Sequence, residues 1–122
     1  VLSVPTRSTA DPTIPLLCEV TPDRDVVTIA VVGELDIATT PVLDAQLRDL
    51  RDAGFQRIVV DLRGLTFIDS TGVHLMLAWT ASAAADGHDL RVVLGARAEA
   101  VFAMTGTLGA LSLQSHGAER AP

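Results

Sequence analysis

Two short runs, Val26–Val32 (VVTIAVV) and Arg57–Leu62 (RIVVDL), are nearly all apolar and rich in β-branched residues. Runs of that length and composition fit strands covered on both faces. Between them Leu43, Leu47 and Leu50 recur at i, i+4 and i+7, drawing one apolar stripe along a helix, with Asp44 and Arg48 four apart on the opposite side. A strand, a helix and a strand in that order restrict the chain to an α/β architecture with a partly parallel sheet.

The remaining elements follow from local signals. Leu16–Val20 reads as a first, edge strand, and Asp23-Arg24-Asp25 as the turn after it. The first helix is predicted to start near Pro41, with Thr40 as N-cap and proline at the first helical position, and to stop at Gly54. Gly64–Asp69 reads as a connecting loop whose Leu65, Phe67 and Ile68 plug the core. A second helix is expected from Thr71 to Asp86, closed by Gly87. A strand over Leu90–Leu94, a short helix over Ala98–Thr105 and a short strand over Leu111–Leu113 complete the series.

The chain has 122 residues, about one domain. Val1–Pro15 holds Pro5, Pro12 and Pro15 among Ser, Thr and Asp, with no period, so residues 1–15 are expected to be a flexible N-terminal tail. Residues 115–122 are expected to be a flexible C-terminal tail, leaving 16–114 as the folded domain. Aromatic residues make up only 3%, so the core must come from Val, Leu, Ile and Ala.

A formal charge of 9 − 15 = −6 works against a nucleic-acid partner, which needs a basic face. Cys18 is alone, so no intramolecular disulfide forms, and a reducing compartment is the simplest setting. No apolar run approaches the roughly twenty residues of a membrane span, and no signal-peptide pattern opens the chain. The expected location is cytoplasmic, with no membrane association.

The richest segment for chemistry runs from Asp61 to Val73, where a strand leads through Asp69-Ser70-Thr71-Gly72 into a helix. Ser70 falls at or beside the N-cap, and one reading makes it simply the cap. The other makes its hydroxyl a phosphate acceptor, since amides and the positive end of a helix favour an anion, while Asp69 beside it opposes the new charge. Neither makes Ser70 a catalytic nucleophile. There is no G-x-S-x-G, and His74, one turn on, reads as a solvated side chain far better than as a base. No cluster has metal spacing and no glycine-rich phosphate loop is present, so no metal, cofactor or catalytic residue is expected.

Two further features each have two readings. Asp36, at the end of the second strand, is either a turn or capping aspartate or a partner contact. On the second helix Val73, Met76, Leu77, Thr80 and Ala84 form a core stripe, and Leu75 with Trp79 forms a second apolar line. That line is either a widening of the stripe or an exposed patch for a partner or a weak homodimer.

Phe67-Ile68-Asp69-Ser70-Thr71-Gly72-Val73 resembles the phosphorylation loop of the STAS domain in anti-sigma factor antagonists, usually written Asp-Ser-Ser-Gly or Asp-Ser-Thr-Gly. Gly33-Glu34-Leu35-Asp36 before a Thr-Pro helix start resembles the family's other recurrent segment, and Val101-Phe102 with Gly106 and Leu108 resembles its ending more loosely. The likeness spans Leu16 to Leu113. It implies a STAS-like single α/β domain, with a mixed sheet of four to five strands and helices packed mainly on one face.

The same resemblance implies a partner-switching role. The unmodified protein would bind an anti-sigma factor, a serine protein kinase of the histidine-kinase-like ATPase fold, and so free a sigma factor. Phosphorylation at Ser70 would end that complex, and a metal-dependent phosphatase of the PP2C type would restore it. The partner-facing set is then Asp36, Asp69, Ser70, Thr71, Gly72 and His74, and the chain itself is no enzyme. Two alternatives within the fold are a non-phosphorylated STAS subunit supporting an ABC-type lipid transporter and a module of a larger stress-signalling assembly. A hydrolase using Ser70 lacks a placed base and an oxyanion loop.

Overall fold

A computed structural model describes residues 16–114, and the two expected tails lie outside the described residues. In chain order the elements are β1 (Leu16–Asp23), β2 (Val26–Leu35), α1 (Thr40–Asp52), β3 (Arg57–Ile68), α2 (Ser70–Asp86), β4 (Asp89–Val93), α3 (Ala96–Met104) and a 3-10 turn at Leu108–Ala110. The four strands lie in the order β1-β2-β3-β4, β1 antiparallel to β2 and the other two pairs parallel. This is the mixed α/β sheet expected.

Both parallel crossovers, β2-α1-β3 and β3-α2-β4, step in the same direction along the sheet. With the usual right hand, both helices then cover one face. Val27, Ile29 and Val31 of β2 and Ile58, Val60 and Leu62 of β3 point to that face. They join Leu43, Leu47 and Leu50 of α1 and Val73, Met76 and Trp79 of α2 in one core cluster. Phe102 of α3 enters the same cluster, and α3 lies against β3. Cys18 is fully buried there too. On the opposite face the strands carry Thr28, Ala30, Asp61 and Arg91, together with Val32, which is 48% exposed.

Several sequence expectations need correction. Gly64–Ile68 is strand, not loop: β3 runs on beside β2, pairing Val32 with Gly64, Gly33 with Leu65 and Leu35 with Ile68 across two register shifts. A Cβ on Gly64 would stand 2.8 Å from Val32 Cγ2 and 3.0 Å from the Val31 carbonyl. The glycine therefore marks close strand approach at a bulge and not a break. Phe67 does not plug the core. It alternates away from Ile68 and is 47% exposed.

Thr39, not Thr40, precedes the first turn of α1, and its hydroxyl makes no cap bond; it donates to the Glu34 carbonyl at 2.7 Å instead. On α2, Ala83 is buried in place of Ala84, and Leu77 is only half-buried. Trp79 is 8% exposed, so the second apolar line is part of a wide core stripe and offers no exposed tryptophan. The last strand reduces to one bridge, Leu113 with Val92.

Candidate functional site

The parallel strands β2 and β3 end together. Leu35 pairs with Ile68, and the Asp69 amide donates to the Leu35 carbonyl at 3.2 Å. Each strand then enters its helix through an aspartate, so Asp36 and Asp69 begin adjacent connections at one end of the sheet.

Asp36 organises its own turn. One carboxylate oxygen accepts from the Ala38 amide at 2.9 Å and the Thr39 amide at 3.1 Å, while its own amide donates to the Thr39 hydroxyl at 2.9 Å. This is the turn-aspartate geometry. Ile37 next to it is 75% exposed.

Asp69 is the N-cap of α2, and Ser70 stands beside it, so the reading of Ser70 as the cap itself is corrected. Its Oδ1 accepts from the Thr71 amide at 2.9 Å, the Gly72 amide at 3.2 Å and the Thr71 hydroxyl at 2.5 Å. Asp69 holds an extended backbone (φ −113°, ψ −171°), the conformation an N-cap needs, and Ser70 already lies in the helix. Partial burial pushes the Asp69 carboxyl up. The Thr71 hydroxyl and the Gly72 and Thr71 amides outweigh that and hold it below the usual carboxylate range.

The two hydroxyls of the segment therefore differ. Thr71 is half-buried and its hydroxyl is committed to Asp69, whereas Ser70 is exposed and takes no part in the cap. Gly72 is buried, and a Cβ there would meet Ile68 Cγ1 at 2.8 Å and Leu35 Cδ2 at 3.0 Å. Its bare backbone lets the first turn of α2 rest on the Leu35–Ile68 pair, so it serves the site from beneath. His74 is exposed, one turn beyond Ser70.

Of the six residues singled out from sequence, the fold gathers all at one end of the sheet. Only Ser70 and His74 are exposed; Asp36, Asp69 and Thr71 are half-buried and Gly72 is buried. Reading the sequence missed Ile37 and Phe67, the apolar side chains that flank the two connections. Ile37 had a signal: it is an isolated apolar residue inside a polar turn. Among the described residues no group of three or more His, Cys, Asp or Glu side chains gathers to hold a metal. No described helix is long and apolar enough to cross a membrane.

The family model described as Mlab, STAS domain, matches residues 18–113. The chain belongs to the STAS domain family. This STAS domain is 39% identical over 49 residues to the anti-sigma-B factor antagonist of Staphylococcus aureus (strain NCTC 8325 / PS 47). That match covers 40% of the chain and 45% of the relative, so it spans less than half the length of the relatives it resembles. Its fold is similar to the unphosphorylated form of the anti-sigma factor antagonist SpoIIAA, with a TM-score of 0.68 at 22% identity, over 85% of this chain and 91% of that one. It is also similar to an anti-sigma factor antagonist from Mycobacterium paratuberculosis, with a TM-score of 0.71 at 21% identity, over 98% and 95%. The Bacillus SpoIIAA in its phosphorylated form matches at a TM-score of 0.64 and 22% identity, over 85% of this chain and 95% of that one. At these identities the likeness to the solved structures is one of fold.

Proposed function

We propose that this STAS domain is an anti-sigma factor antagonist that switches partners through Ser70. In its unmodified form it binds an anti-sigma factor with serine-kinase activity, through the end of the sheet formed by Asp36, Ile37, Phe67, Ser70 and His74. Binding frees a sigma factor. Transfer of phosphate to the Ser70 hydroxyl breaks the complex, and a PP2C-type phosphatase restores the binding form. The domain is substrate and ligand in this cycle and performs no chemistry itself.

The observation that carries the reading is the division of labour between adjacent residues. Asp69 caps α2 and holds the Thr71 hydroxyl, which leaves Ser70 as the hydroxyl presented to solvent at the helix start. The names of the relatives and of the fold neighbours support the antagonist role.

A phosphate adds roughly −1.5 to −2 charges beside Asp69 on a protein whose formal charge is already −6. Repulsion and desolvation at a contact surface then lower affinity without any refolding, and a loss confined to one loop is sufficient.

The test is intact mass and site mapping after incubation with serine-kinase anti-sigma factors and ATP, comparing wild type with Ser70→Ala. Phosphate on Ser70, absent in the variant and coupled to partner release, supports the switch. No phosphate, with equal binding by both proteins, would leave Ser70 as an ordinary helix residue and favour a transporter-supporting subunit.

A further inference from the structure

Ser70 and His74 are both exposed and lie four residues apart on α2, the spacing that brings helix side chains together. We propose that His74 is the counter-ion of a phosphate on Ser70 and holds it against the first turn of α2. This rests on the reading of Ser70 as the phosphate acceptor.

A helix start normally supplies its own anion site through unpaired amides. Here two of those amides are already committed. The Asp69 carboxylate holds the amides of Thr71 and Gly72 and the Thr71 hydroxyl, so a phosphate on Ser70 meets a filled cap and a neighbouring negative charge. It needs a cation from elsewhere.

The sequence places one such group on the same helix. From Gly64 to Asp86, the end of β3 and all of α2, His74 is the sole basic side chain. From Glu34 to Leu47, the end of β2 and the first two turns of α1, there is none. The acidic groups at this end are Asp69 on the cap and Glu34 and Asp36 from β2 and its turn. On α1, Asp44 is shared between Arg48 and Trp79. On β3, Arg63 is held by both oxygens of Asp61, at 3.0 and 2.9 Å. Asp89 of β4 lies with Arg57 and Arg91 at the far end of the sheet. Arg97 and Glu99 belong to the first turn of α3.

The chemistry of the pair is matched. A phosphoserine adds roughly −1.5 to −2 charges, and an imidazolium one turn along the helix offers the opposite charge at the spacing of a helix ion pair. The dianion favours the imidazolium, and the imidazolium favours the dianion. His74 acts as a positioning residue for the phosphate.

The test uses the full chain with phosphoserine incorporated at position 70 by an expanded genetic code, so no kinase is needed. Phosphorus NMR follows the second ionisation of the phosphate against pH in the wild-type background, in His74→Gln and in His74→Lys. His74 is exposed, so neither variant threatens folding. The expected result is a midpoint about 0.3 pH unit lower with His74 than with Gln, the roughly twofold effect of an exposed i, i+4 ion pair. His74→Lys should keep a displacement at least as large, and 1 M salt should shrink it in both. Coincident curves for His74 and His74→Gln overturn the proposal. Failure of every anti-sigma kinase to modify Ser70 would sink the functional reading above and leave this titration standing.

Discussion

The indole N–H of Trp79 on α2 donates to the Asp44 carboxylate of α1 at 2.8 Å, tying together the two helices whose first turns flank the candidate site. The same carboxylate pairs with Arg48, and Arg51 lies over the indole ring at 5.4 Å from its centre. One buried aromatic thus joins the helices through a hydrogen bond and a cation–π contact.

Removing the hydrogen bond should loosen that joint. Trp79→Phe keeps most of the apolar area and is expected to cost about 1 kcal/mol, while Asp44→Ala leaves the indole N–H without its acceptor and should cost about 1–2 kcal/mol. Urea unfolding measures both. Trp79 is the single tryptophan in the chain, so its emission reports the Asp44 substitution directly. Unchanged emission and midpoint in Asp44→Ala would count against the joint.

Asp69 separates capping from charge. Asp69→Ala removes the acceptor for two amides and a hydroxyl and should cost about 1 kcal/mol at neutral pH; Asn is itself a good N-cap and should cost only a few tenths. The folded carboxyl sits below its ordinary value, so its contribution is complete above about pH 4 and is lost as pH falls through the lower, folded value. Stability measured from pH 5 downwards should fall more steeply for wild type than for Asp69→Asn. Parallel curves would contradict the assignment.

Thr80 carries a buried hydroxyl with no hydrogen-bond partner among the described residues. Replacing it with valine keeps the shape and removes the desolvated polar atom, so Thr80→Val is expected to stabilise the fold by about 1 kcal/mol. A lowered urea midpoint would mean that the hydroxyl has an acceptor after all.

Gly72→Ala should be the most damaging small change near the site. The added methyl meets Ile68 and Leu35 side chains at 2.8 and 3.0 Å, and overpacking of this kind costs about 1–3 kcal/mol. Calorimetric melting tests this, with Gly87→Ala as an informative comparison. Gly87 takes a left-handed φ of 76° with open space around its Cβ, so there the cost is conformational and not steric.

Much of this domain was legible before any coordinates. The β-branched runs identified the two central strands, and the Leu43–Leu47–Leu50 period identified α1. These signals give the kind of element, but not its cover. β2 reads as buried on both faces, whereas its residues alternate between buried and partly exposed and Val32 is 48% exposed, because α1 and α2 cover only one side of the sheet. The signals are local. The Asp69-Ser70-Thr71-Gly72 segment carried the site for the same reason, since a strand end, a cap and a helix start occupy neighbouring residues.

What the tertiary structure alone decided depended on residues far apart in the chain. Gly64–Ile68 became strand because β2 extends alongside it, and that extension turned Phe67 outward. Of the two places left open for Ser70, at the cap or beside it, the second was taken, with Asp69 as the cap where β3 stops after the pairing of Leu35 with Ile68. Trp79 became a buried joint because Asp44, 35 residues earlier, stands across from it. By itself the sequence determined the order and kind of the main elements and singled out the segment proposed as the acceptor. Register, caps and the fate of each apolar side chain waited on packing, because a short window of sequence carries no record of which distant partner will cover it.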